Sequence, residues 1–231
     1  ESIIGLLGRN GAGKSTVLNM IARRIEKTSG DITLDGVDLH KTPRAMHQVY
    51  LSSTENWFPK EYKFKDLLSI YKKTYPEFDS EFAEELIKVF GVNVKERFSK
   101  ASTGYQSIMK IILALCNPSE YIFMDEPVLG LDANHRHIFN KKLLEAYARN
   151  PRTFVIATHL IEEVASILEK VIVIKDGVVT EEVMVEEVLG KGYVVSGATS
   201  LVQEFVADKN VQETEQIGNI TRAVVIGKKG E

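Results

Sequence analysis

Five short apolar runs, each closed by polar or glycine-rich residues, set the rhythm of the chain: SIIGLL at 2–7, VYLSS at 49–53, YIFM at 121–124, TFVIAT at 153–158 and VIVIKDG at 171–177. Runs this short and continuous read as strands buried on both faces. Segments with apolar residues at helical spacing lie between them, beginning with TVLNMIARRIE at 16–26. Alternation of strand and helix predicts a parallel sheet covered by helices. DITLDGVDL at 31–39 alternates around Asp35-Gly36, a turn signal, and predicts a short hairpin.

The pattern changes twice. Between 64 and 117 three helical segments, KFKDLLSIYKKTY, SEFAEELIKVFGV and SIMKIILALC, follow one another with no strand between them. Beyond 190 the alternation breaks at LGKGYVVSGATS. There a helix-like SLVQEFVADK and a strand-like RAVVIG predict a small α+β extension, read as a cap on the main domain. The expected organisation is therefore an α/β core at 1–63 and 118–190, an inserted helical subdomain at 64–117, and an extension at 191–231.

Charge and composition narrow the function classes. A formal net charge of -3 supplies no basic field, so no nucleic-acid partner is expected. The longest apolar runs, such as IILALC, fall far short of the roughly 18 residues a membrane span needs, and no signal-peptide pattern opens the chain. A single cysteine, Cys116, cannot form an internal disulfide and reads as a small buried hydrophobe.

The glycine-rich loop carries the first chemistry. GRNGAGKS fits G-x-x-x-x-G-K-[ST] through Gly8, Gly13, Lys14 and Ser15, with a strand running in and a helix running out. The glycines let backbone N–H groups of Asn10, Gly11, Ala12 and Thr16 and their neighbours curl around phosphates. Lys14 brings positive charge to the outer phosphates, and the Ser15 hydroxyl can ligate Mg²⁺. YIFMDE places Asp125 and Glu126 at the C-terminal end of a strand. Asp125 is a candidate to hold Mg²⁺ through water, and Glu126 to orient or deprotonate an attacking water. A solvated acidic turn is the alternative, and the phosphate loop in the same chain argues against it. TFVIATH delivers His159 at a third strand end, where open α/β sheets bind ligands, within expected reach of a terminal phosphate. A guanine-reading N-K-x-D stretch is absent, since NKKL at 140–143 lacks the aspartate, which favours ATP. STGYQ at 102–106 is a second anion-seeking helix start, and taken alone it reads equally as a helix cap.

Together these motifs resemble the ATP-binding subunit of an ABC transporter over roughly residues 1–190. GRNGAGKST is similar to that family's Walker A, YIFMDEP to Walker B with its catalytic glutamate, GLD at 130–132 to the D-loop, ATH to the H-loop and ASTGYQ to the LSGGQ signature. The resemblance implies a P-loop NTPase core of ABC type, with ATP and Mg²⁺ as cofactors and Lys14, Glu126 and His159 as catalytic residues. It further implies a head-to-tail dimer in which Ser102 and Gly104 of one copy hold the ATP of the other. It implies a separate membrane-spanning transporter subunit, and a location on the cytoplasmic face of the cell membrane through that partner.

The sequence departs from the family pattern at four places. Thr103 replaces the first signature glycine, Ala101 the usual leucine, and Val128 stands where a polar residue commonly follows DEP. The glutamine expected after VYL is missing; Ser53 takes its approximate place near the metal, with Glu55 close by. The chain begins at Glu1, seven residues before Gly8, so the core's N-terminal sheet is expected to be incomplete and no adenine-stacking aromatic is assigned. The divergent signature and the extension point by analogy to two-component exporters of peptides or antibiotics. Two alternatives stand beside this reading: a soluble ABC-type ATPase in translation or DNA repair, and a regulatory domain that binds ATP with little turnover. Trp57 and Phe58, adjacent aromatics in a loop, are expected either to pack locally or to anchor a membrane partner.

Overall fold

The computed structural model describes residues 1–189 and 192–227, which fall into two compact units, Glu1–Glu182 and Val183–Glu231. The boundary expected between 190 and 191 lies outside the described residues.

In the first unit the apolar runs form β1 (Ile3–Leu7), β4 (Val49–Ser52), β5 (Tyr121–Asp125), β6 (Thr153–Thr158) and β7 (Lys170–Lys175), and β8 (Val178–Met184) follows β7. They make one sheet in the order β4-β5-β6-β1-β7-β8, with parallel pairing from β4 through β7. Burial on both faces explains why these strands read as continuous apolar runs rather than alternating ones. The predicted hairpin is present as β2 (Thr33–Leu34) and β3 (Val37–Asp38), and Asp35 and Gly36 both take positive φ, as a tight hairpin turn requires. A single turn of helix, α2 (Pro43–Met46), leads into β4.

Helix α1 (Lys14–Ile21) covers the sheet by burying Leu18 in a cluster with Leu6, Leu51, Val155, Ala157 and Ile174. The helical block contains α3 (Phe64–Thr74), α4 (Ser80–Val89) and α5 (Thr103–Leu115); α6 (Ala133–Arg149) lies between β5 and β6. Short polar side chains start three of these helices by accepting the backbone N–H three residues on: Asp79 for α4 at 2.9 Å, Ser102 for α5 at 3.3 Å and Asp132 for α6 at 2.8 Å. Buried Ile108, Met109, Ile111, Ile112 and Leu115 pack α5 into the interior.

In the second unit α7 (Val185–Leu189) precedes β9 (Gly192–Ala198), α8 (Thr199–Val206), β10 (Asn210–Ile217) and β11 (Ile220–Ile226). The three strands form an antiparallel sheet in the order β10-β11-β9. Val202 of α8 is buried, as are Ala223 and Val225 of β11. The helix and one strand were legible as sequence pattern. β10, NVQETEQI, was not, because it is an edge strand whose described positions Thr214 and Gln216 are polar and exposed.

Candidate functional site

The sheet order places the carboxyl ends of β1, β5 and β6 side by side, so the phosphate loop, Asp125–Glu126 and His159 gather at one edge. Gly13 stands at the N-terminus of α1 with φ 106°, a left-handed value that lets the loop turn directly into the helix. Lys14 is buried, and its ammonium donates to the carbonyls of Gly8 at 2.6 Å and Arg9 at 3.3 Å. The loop is therefore closed around its own lysine. Ala12 is buried beneath it, while Asn10, Gly11, Ser15 and Thr16 are exposed toward solvent.

Asp125 ends β5 with its carboxylate buried, and its Oδ1 has no hydrogen-bond partner. Burial pushes its carboxyl above the usual carboxylate range; the hydrogen bond from the Ser15 hydroxyl and the charge of Lys14 pull it down, and Glu126 pushes it up. A buried, unpartnered carboxylate oxygen beside a serine hydroxyl has the donor set that Mg²⁺ takes in phosphate sites. Ser15 and Asp125 thus fit the ion.

Glu126 is held by the neighbouring strand through both its backbone and its carboxylate. Its backbone lies in the left-handed region at φ 49°, a strained conformation for a side-chain-bearing residue, fixed by its N–H donating to Ala157 O at 2.8 Å. The Thr158 hydroxyl donates to Oε2 at 2.9 Å, the His159 N–H to Oε1 at 3.1 Å, and His159 Nδ1 pairs with Oε1 at 2.8 Å. An ionised carboxylate only accepts, so that ring nitrogen carries the proton. Three of the roughly four acceptor positions of the carboxylate are filled, which leaves one for a water. Thr158 went unnoticed in the sequence although it precedes His159; its signal is a hydroxyl at the end of an otherwise apolar strand.

The remaining expected residues lie around this centre or on the start of α5. Ser102 caps α5, and Gly104 packs so closely on the turn after β5 that a Cβ there would come within 2.3 Å of Gly130 O. Ser53 is buried with its hydroxyl turned to Glu55 O at 3.4 Å, and it lines a cleft of about 50 Å³ that also includes Asp125 and Glu126. Val128 is fully buried, which accounts for an apolar residue after DEP. Trp57 and Phe58 part company: Phe58 packs edge-on against Phe98 at 4.9 Å, whereas Trp57 is 65% exposed with the Arg24 guanidinium 5.9 Å from its ring. Trp57 lines a groove of about 270 Å³ with Arg24, Tyr50, Tyr71 and Tyr75. Among the described residues no helix is long and apolar enough to cross a membrane.

A family model described as "ABC transporter" matches residues 1–129. The chain is 33% identical over 182 residues to the ABC transporter ATP-binding protein NatA of Bacillus subtilis, covering 76% of this chain and 74% of NatA. It is 28% identical over 230 residues to the ABC transporter ATP-binding protein YtrB of the same organism, covering 99% of this chain and 78% of YtrB. The fold matches that of the ATP-binding cassette MJ0796, solved as a dimer in a post-hydrolysis state bound to ADP and Pi, with a TM-score of 0.66, 22% identity, and 80% of this chain and 85% of that chain covered. It also matches cbiO1 from Clostridium perfringens, part of the ABC transporter complex cbiONQ, with a TM-score of 0.63, 21% identity, and coverage of 89% and 82%. The phosphate loop, the partnered glutamate and these relationships converge: the chain belongs to the ABC transporter family, as a P-loop ATPase that uses ATP and Mg²⁺.

Proposed function

We propose that this chain is the ATP-hydrolysing subunit that drives a separate membrane-spanning transporter subunit, and that Glu126 activates the attacking water. The observation that carries the reading is the carboxylate of Glu126, held by Thr158 and His159 next to Asp125 and the Lys14 loop.

The loop N–H groups and Lys14 bind the ATP phosphates, and moving the ammonium from the Gly8 carbonyl to phosphate oxygen exchanges a neutral acceptor for a charged one. Ser15 and, through water, Asp125 would hold Mg²⁺, which would supply positive charge to the phosphate oxygens. Glu126 holds the water at its remaining lone pair, aligns it with the terminal phosphorus and takes its proton. His159 keeps the glutamate in place through Nδ1, and its other ring nitrogen points away from that contact, available to the terminal phosphate.

Ser102 and Gly104 lie at the start of α5, and in the proposed head-to-tail dimer they complete the ATP site of the second copy. The exposed Trp57 in its tyrosine-lined groove is the proposed contact for the membrane subunit, and through that partner the protein sits at the cytoplasmic face of the membrane. Export is the direction we assign, supported by the divergent STGYQ and the appended second unit.

Glu126→Gln tests the assignment. It retains ATP binding, lowers turnover by about 10²–10⁴, the usual worth of a positioned base, and lets an ATP-bound dimer accumulate on size exclusion with Mg-ATP. Normal phosphate release by this variant removes Glu126 from the reaction.

A further inference from the structure

Helix α5 is apolar except along one stripe. Thr103, Gln106, Ser107 and Lys110 recur at i, i+3, i+4 and i+7, so they share one face, and all four line the cleft that contains Asp125 and Glu126. Two of them tie the helix to the walls of that cleft. The Ser107 hydroxyl donates to Leu129 O at 3.0 Å, in the turn after β5. The Lys110 ammonium donates to three successive carbonyls of the loop after β4: Ser53 at 2.8 Å, Thr54 at 2.9 Å and Glu55 at 3.0 Å.

We propose that Lys110 is a positioning residue for ATP hydrolysis, whose ammonium fixes the 53–55 loop over the carboxylates Asp125 and Glu126. An ammonium has three donors, and here each has an acceptor in the same loop. That loop carries no glutamine, and its Ser53 hydroxyl makes one long bond within it, to Glu55 O at 3.4 Å, whereas Lys110 reaches it by three shorter ones. Keeping a charge in this half-buried place is costly and is sustained only by partners. Burial first, then the nearby Arg24, lower the Lys110 amine to about 8, against the opposing pull of Glu55. The Phe98 ring closes another side, 5.9 Å away. Because the same loop runs on to Trp57, the groove and the carboxylate cleft share one tether.

The inference rests on the reading of Asp125 and Glu126 as the reacting carboxylates, and its test has a readout that does not. Trp57 is the only tryptophan in the chain and lies two residues beyond Glu55. Lys110→Met removes the charge and keeps the stem. It is expected to lower the fluorescence anisotropy of Trp57, to leave KM for ATP within about twofold, and to lower kcat on the order of tenfold, as a small misplacement does. Lys110→Cys alkylated with 2-bromoethylamine puts an ammonium back at nearly the same reach and should restore both anisotropy and kcat. Cys116 does not compete, since burial raises its thiol far above the usual range. Unchanged anisotropy and kcat in Lys110→Met overturn the proposal, as does a loss of kcat that alkylation fails to reverse. Should Lys110→Met not fold, the Cys variant before and after alkylation decides alone. Normal turnover by Glu126→Gln would overturn the carboxylate reading by itself, whatever Trp57 reports.

Discussion

His159 Nδ1 and Glu126 Oε1 meet at 2.8 Å, although 33 residues separate them in sequence. The contact exists because β5 and β6 are parallel neighbours paired Asp125 with Ala157, so each strand releases its polar residue at the same level. A glutamate on one strand end is thus oriented by the next, and neither needs a flexible loop to find the other.

Thr158→Val tests how much that orientation matters. The substitution nearly preserves shape but removes the 2.9 Å hydrogen bond to Glu126 Oε2. Turnover should fall on the order of tenfold with KM for ATP little changed, because the lost bond positions the base and does not touch the nucleotide. A rise in KM with kcat intact in steady-state kinetics would show that Thr158 serves binding instead.

The proposed head-to-tail dimer makes a complementation prediction. Lys14→Ala should lose tight ATP binding, and Ser102→Arg should lose ATPase while monomers still bind ATP. Mixed together they should recover part of the activity, since one of the two composite sites carries neither substitution. Equilibrium binding of labelled ATP and phosphate release read the two halves. Mixtures that form dimers and stay inactive would refute the arrangement.

The two loop aromatics should separate by phenotype. Phe58→Ala removes an edge-on contact with Phe98 and should cost roughly 1–3 kcal/mol in urea unfolding. Trp57→Ala leaves the interior intact and should keep basal ATPase, yet weaken co-purification with the membrane subunit by about thirtyfold, as loss of an aromatic anchor does. Normal coupling by Trp57→Ala would move the contact away from the groove.

Lys110 gives a pH signature with a definite sign. Its amine titrates near 8 in the folded protein against an ordinary 10.5, because burial and Arg24 disfavour the charge. Between those values the unfolded chain holds a proton that the folded chain has released, so this group's contribution to stability rises with pH across the window. Urea unfolding of wild type and Lys110→Met at pH 7.5 and about 10 should show the difference shifting in favour of wild type at the higher pH. A shift the other way would mean the folded amine is not desolvated.

What the sequence revealed and what it hid follow from separation along the chain. The phosphate loop is a motif of contiguous residues, and its strand-in, helix-out setting is written in the same twenty positions. Asp125, Glu126 and His159 were legible because apolar runs announce strands and polar residues announce their ends. Lys110 and the Ser53 carbonyl are 57 residues apart, joined through backbone atoms that carry no sequence signal. The signal that could have marked this helix face is the spacing of Thr103, Gln106, Ser107 and Lys110 along α5. The different packing of Trp57 and Phe58 was likewise invisible, since Phe98, against which Phe58 packs, comes from a distant turn.

The approach of Gly104 to Gly130 sets where this chain can drift. Any side chain at 104 would collide with a backbone carbonyl that cannot swing aside, whereas Thr103, exposed and lining the carboxylate cleft, carries its side chain without that collision. Ala101 and Thr103 have departed from the family's usual residues; Gly104 has not. Evolutionary latitude in the motif is therefore uneven by geometry. Variants selected for altered nucleotide response are expected at 103, where the side chain is exposed, while buried Ala101 and hydrogen-bonded Tyr105 have less room and Gly104 is a fixed point.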